Sequence, residues 1–164
     1  MVTVEESKRR VIKLRGHHLL CVFGFRGYGY SAEFVREMAR IVLALRAPGT
    51  RVEIVAGVDD ICCACPKRAS GACARPESPR DRAVLAVLAL PVGHVAAAAT
   101  LFRSIARRVS GQQLTELCAS CSWYDLGYCA EGLTSGRIAA GWRAGDPAGQ
   151  DNSIETERGV DRDE

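Results

Sequence analysis

The sequence predicts a mainly helical fold of the α+β/α/β kind, with a small two-stranded βαβ-like N-terminal unit followed by helices and Cys-rich metal-binding loops. Three observations carry that expectation. Two short alternating segments, Val11 to Arg15 and Arg51 to Ala56, flank an amphipathic stretch in the strand, helix, strand pattern. Further along, apolar residues recur at helical spacing in three more places. Between and after them lie glycine- and proline-containing loops that hold most of the cysteines. A chain of 164 residues, 48% hydrophobic and 25% charged, suits one compact domain and is short for two. Residues 1–10 read as a flexible N-terminus, 11–141 as a single Cys-rich metal-binding domain, and 142–164, polar with almost no apolar anchor, as a disordered tail.

In the first segment Ile12 and Leu14 share one face, and Gly16 ends it. His17 to Phe25 then reads as a short helix, because His17, Leu20, Cys21 and Gly24 fall at offsets of three, four and seven. Gly24, Gly27 and Gly29 alternate with Phe25, Tyr28 and Tyr30 in an aromatic loop whose spacing does not fit a dinucleotide fingerprint. Ser31 caps the next helix, with Phe34, Val35, Met38, Ile41, Val42 and Leu45 on its inner face and Pro48-Gly49 at its end. Ser78-Pro79 with Asp81 opens another, through Val84, Val87 and Leu88. Val95 to Val109 is expected as helix, with Leu101, Phe102, Ile105 and Val109 inside and Arg103, Arg107 and Arg108 outside; His94 before it reads as a surface or capping residue. Ser110-Gly111 opens a last short helix through Leu114 and Leu117 towards Cys118.

Six of the eight cysteines form two triplets with one spacing. Cys62, Cys65 and Cys73 are separated by two and then seven residues, as are Cys118, Cys121 and Cys129. A Cys-x-x-Cys pair brings two thiolates to the mouth of a tight turn, which suits tetrahedral zinc or two irons of a cluster. Three ligands leave a site one short of four, and Cys21 is the obvious donor to complete one triplet. His17 and His18 offer two imidazoles in the same segment. Aromatics lie between Cys121 and Cys129, where they would keep out water.

Net charge is only +3, and the arginines are scattered, so nothing demands nucleic acid or an anionic membrane as partner. No segment approaches the roughly 20 apolar residues of a membrane span, and no apolar leader precedes the domain, so the expected location is the cytosol. In that reducing compartment eight cysteines argue for metal or redox chemistry rather than a disulfide framework.

The run Leu14-Arg15-Gly16-His17-His18-Leu19-Leu20-Cys21, then Gly24-Phe25-Arg26-Gly27, Asp60-Ile61-Cys62, Cys65-Pro66, Cys118-x-x-Cys121-x-Trp123 and Gly127-Tyr128-Cys129, resembles an uncharacterised bacterial and archaeal family catalogued as domain of unknown function 1284. The resemblance runs from about Lys13 to Leu133. It implies iron-sulfur binding without an established reaction, and assigns Cys21, Cys62, Cys65, Cys73, Cys118, Cys121 and Cys129 to the family pattern, with Cys63 a local extra.

Two ligand arrangements fit. In one, Cys62, Cys65, Cys73 and Cys21 hold a 4Fe-4S cluster and the second triplet binds another metal; in the other, both triplets converge on one cluster. Either arrangement implies an electron-transfer or cluster-dependent redox role with a redox or cluster-transfer protein as partner, and leaves an enzyme open. The alternative is a structural zinc scaffold or interaction module. A thiol-disulfide oxidoreductase fits poorly: Pro66 follows Cys65 at once, and Cys118 falls at the C-terminal end of its helix, where the dipole raises a thiol pKa.

Overall fold

A computed structural model describes residues 10–68, 78–121, 123–144 and 146. Strand β1 (Val11–Leu14) leads into the one-turn helix α1 (His18–Cys21), followed by α2 (Ala32–Arg46) and β2 (Arg51–Ile54). After two 3₁₀ turns, Ile61–Ala64 and Pro66–Arg68, come α3 (Pro79–Leu88), β3 (Val95–Ala97), α4 (Ala98–Arg108), α5 (Gly111–Cys118) and α6 (Tyr128–Ser135). The described residues are thus mainly helical around a three-stranded sheet in the order β1-β2-β3.

β1 and β2 run parallel, Val11 opposite Arg51 through Leu14 opposite Ile54. α2 connects them. Its start is the expected one, Ser31 Oγ accepting the Phe34 amide at 3.1 Å, and its inner face buries Phe34, Val35, Met38, Ile41, Val42 and Leu45. Alternation along the two strands puts Ile12, Leu14, Val52 and Ile54 into the same core. Thr50, between α2 and β2, is buried with its hydroxyl donated to the Ala44 carbonyl at 2.6 Å.

Two elements differ from expectation. The sheet has three strands rather than two, because Val95–Ala97, expected as the first turn of a helix, pairs antiparallel with β2, Ala96 opposite Val52. α4 begins only at Ala98, with Leu101, Phe102 and Ile105 inward. Beyond Cys121 the chain forms α6, started and stopped by left-handed Gly127 and Gly136. Trp142, at the first position of the expected tail, is only 6% exposed. It packs edge to face on Phe25 at 5.2 Å, and Arg46 donates to the carbonyls of Ile138, Ala139 and Trp142.

Candidate functional site

The carboxyl ends of the two parallel strands lie side by side, and each runs directly into chemistry-bearing residues. That is the usual position of sites on sheets with parallel strands. β1 opens into Arg15, Gly16, His17 and His18; β2 opens into Asp59, Asp60 and Cys62. The join is made by side chains: Asp60 accepts the Lys13 amide and Asp59 the Arg15 amide, both at 2.8 Å.

Arg15 is 1% exposed. Its Nε donates to Asp81 Oδ2 at 2.7 Å and its Nη1 faces Cys62 Sγ at 3.7 Å. Asp81 was legible as the first-turn carboxylate of α3; its second task was not. Besides Arg15 it accepts the His17 amide at 2.9 Å and binds His17 Nδ1 at 2.6 Å. Asp59 does the same for the next residue, binding His18 Nδ1 at 2.7 Å while accepting the Cys62 amide at 3.1 Å. The two imidazoles lie edge to face with centroids 4.3 Å apart. Gly16 makes this possible, since a Cβ there would stand 2.5 Å from the Asp81 carbonyl oxygen and 2.9 Å from its Cα.

Burial opposes ionisation of both carboxyls, yet their partners prevail. Asp59 is held at about 2 by His18 and the Arg15 amide, and Asp81 falls still lower through His17 and Arg15. His17 drops to about 4, because burial and the neighbouring His18 and Arg15 outweigh its own carboxylate. His18, Asp59 and Cys62 offer ligand atoms within 4.8 Å of one another. Hydrogen bonds among these groups account for that closeness. Burial and the Asp59 charge push the Cys62 thiol up to about 12.

Four further thiols gather near the C-terminal end of α1. Cys21 closes α1, Cys118 closes α5, Cys121 lies in the following turn, its amide donated to the Cys118 carbonyl at 2.9 Å, and Cys129 sits in the first turn of α6. All six pairings among these four sulfurs are electrostatically coupled. Burial and the neighbouring thiols raise Cys21 well above its ordinary value, Cys118 to about 11 and Cys129 to about 12. Arg80 pulls Cys21 and Cys118 the other way, and its guanidinium is anchored on Ser120 Oγ at 2.7 Å. Gly24 sets the approach of α6: a Cβ there would meet Cys129 Sγ at 2.5 Å and the Cys129 amide nitrogen at 2.8 Å. Tyr28 stacks on Tyr128 and Tyr30 on Trp123, so aromatics flank the Cys121 to Cys129 loop.

Cys21 therefore stands with the second triplet, not with Cys62 and Cys65 as in the first of the two sequence arrangements. Cys62 and Cys65 line a small pocket with Val58 and Arg68. Cys73 lies outside the described residues. The seven described cysteines are free thiols.

Fold and site define a mainly helical protein with a small mixed sheet, four neighbouring thiols and a pair of carboxylate-bound histidines. Residues 29–127 match the family model described as "Protein of unknown function (DUF1284)", and the chain belongs to that family. The matched segment includes Cys62, Cys65, Cys73, Cys118 and Cys121, while His17, His18, Cys21 and Cys129 lie outside its bounds. No significant match was found among curated proteins or among solved structures. Among the described residues, no helix is long and apolar enough to cross a membrane.

Proposed function

We propose that Cys21, Cys118, Cys121 and Cys129 hold an iron-sulfur cluster, 4Fe-4S in type, and that the protein serves electron transfer or another cluster-dependent redox step with a protein partner. One observation carries the reading: four sulfurs from three separated stretches of chain come within electrostatic range of one another, Cys118 buried and the other three half-buried. Without a cation the four groups stay neutral thiols, because burial and the neighbouring thiols both resist the thiolate form. A bound metal reverses that logic by stabilising each thiolate. The four-thiol donor set fits a cluster, and the cluster would supply one-electron chemistry.

The chain's own residues shape the pocket in three ways. Arg80 offsets the negative charge of the thiolates. Gly24 lets α6 close on α1. The Tyr28, Tyr128, Tyr30 and Trp123 rings shield the loop between the last two ligands from water. A four-thiol set also suits structural zinc, and the resemblance drawn from the sequence favours iron and sulfide. Anaerobic reconstitution followed by iron, sulfide and zinc analysis decides. Equal iron and sulfide, broad visible absorption, and loss of both in Cys21→Ser and Cys129→Ser are expected. A colourless protein carrying stoichiometric zinc would refute the proposal.

A further inference from the structure

The four-thiol pocket leaves the two imidazoles of α1 without a task. Each has its Nδ1 committed to a different carboxylate, His17 to Asp81 at 2.6 Å and His18 to Asp59 at 2.7 Å. Because an ionised carboxylate can only accept, both Nδ1 atoms carry the proton in the neutral ring and both Nε2 lone pairs are free. Among the described residues no buried side-chain nitrogen or oxygen lacks a partner, so each Nε2, with no protein partner, reaches solvent. The side chains are 15% and 14% exposed, enough for access but not for free rotation.

We propose that His17 and His18 form a second metal site, taking one divalent transition ion through their Nε2 atoms and leaving its remaining positions open to water or an exchangeable ligand. Three features favour a metal. Metal-ligating histidines almost always donate the other ring N–H to a carboxylate or carbonyl, which fixes tautomer and orientation, and here both do so. The two rings lie against one another with centroids 4.3 Å apart, so the pair offers two imidazole donors side by side. The surrounding charges favour a cation, since Asp59 and Asp81 together outweigh Arg15 by one negative charge. Imidazole pairs suit zinc, nickel, copper and iron, and two protein ligands leave an open coordination sphere of the kind catalytic sites keep.

The test is a zinc titration of the anaerobically purified full-length chain against a chromophoric chelator, comparing wild type with His17→Gln, His18→Gln and the double variant. Wild type should bind one more zinc than the double variant, and each single variant should weaken that ion at least tenfold. Iron and sulfide content should be the same in all four proteins. If the four-thiol pocket instead takes zinc, the difference of one ion between wild type and double variant persists, so the two proposals fail separately. Diethyl pyrocarbonate labelling of wild type, mapped by mass spectrometry, needs no variant. Zinc should protect His17 and His18 at least tenfold while leaving exposed His94 unprotected. Equal zinc binding by wild type and double variant, or no protection, would overturn the site.

Discussion

Asp81→Asn is the sharpest test of the polar knot at the carboxyl ends of the parallel strands. The substitution keeps shape and leaves Arg15, 1% exposed, without the carboxylate that its Nε meets at 2.7 Å. It also replaces the acceptor for His17 Nδ1 and the His17 amide with a weaker, uncharged one. Removing one partner of a buried ion pair costs about 3–5 kcal/mol. Domains of this size are stable by only about 5–15 kcal/mol, so a fifth or more of the total is at stake. At roughly 2–4 °C per kcal/mol the melting temperature should fall by about 6–20 °C. Urea denaturation followed by circular dichroism measures this, with Glu37→Gln as control. That residue's pair with Arg40 is exposed, and its loss should change stability by under about 1 kcal/mol. If Asp81→Asn lies within about 1 kcal/mol of wild type, Arg15 does not depend on Asp81 and the account of the strand ends is wrong.

Three further outcomes are expected. Gly24→Ala drives a Cβ into Cys129 Sγ and backbone; it should destabilise by about 1–3 kcal/mol and lower reconstituted iron by more than half, whereas Gly111→Ala, with nothing within 4 Å, should do neither. Because His17 protonates near 6.5 when unfolded and at about 4 when folded, its neutral form supports the fold fully above pH 6.5, and that support drains away as pH falls towards 4. The loss is about 3 kcal/mol in metal-free protein, and a His17→Gln variant should show a correspondingly flatter urea midpoint between pH 7.5 and 4.5. Trp142→Ala should cost about 3–5 kcal/mol by thermal melting, as for a core aromatic, and an unchanged melting temperature would place Trp142 outside the core.

Much of the frame was legible because it rests on local signals. The strands β1 and β2 and the caps and faces of α2, α3 and α5 follow from alternation, Ser caps and helical spacing. β3 was hidden because Val95-Ala96-Ala97 has no strand signature of its own; its state is set by pairing with β2, some forty residues away. α6 was masked by Gly127 and Gly132, which read as loop punctuation. Spacing found Cys118, Cys121 and Cys129, and Cys21 stood out as a donor able to complete one triplet, yet which one was not legible, since that depends on how α1 packs against α5 and α6. Asp81 was legible as the first-turn acceptor of α3, whereas nothing local singled out Asp59. Their bonds to the histidines were invisible, because the same carboxylates serve local and distant partners at once.

The segment from Gly16 to Gly24 explains why both proposed sites share one small element. α1 spans only His18–Cys21 and has no side-chain cap, and helices this short do not persist alone. Leu19 and Leu20, both 0% exposed, bury one face in the core. At its start Gly16 admits the Asp81 backbone; just past its end Gly24 admits Cys129. A single turn thereby meets α3 at its start and α6 just past its end, and it carries His17 at its N-cap, His18 at its first position and Cys21 at its last. Any movement that shifts α6 when the thiol pocket is loaded must pull on the same turn that aims His17 and His18. If both proposed sites form, Gly24→Ala should weaken zinc binding at the histidine pair as well as iron binding at the thiols, because one short turn carries ligands of each.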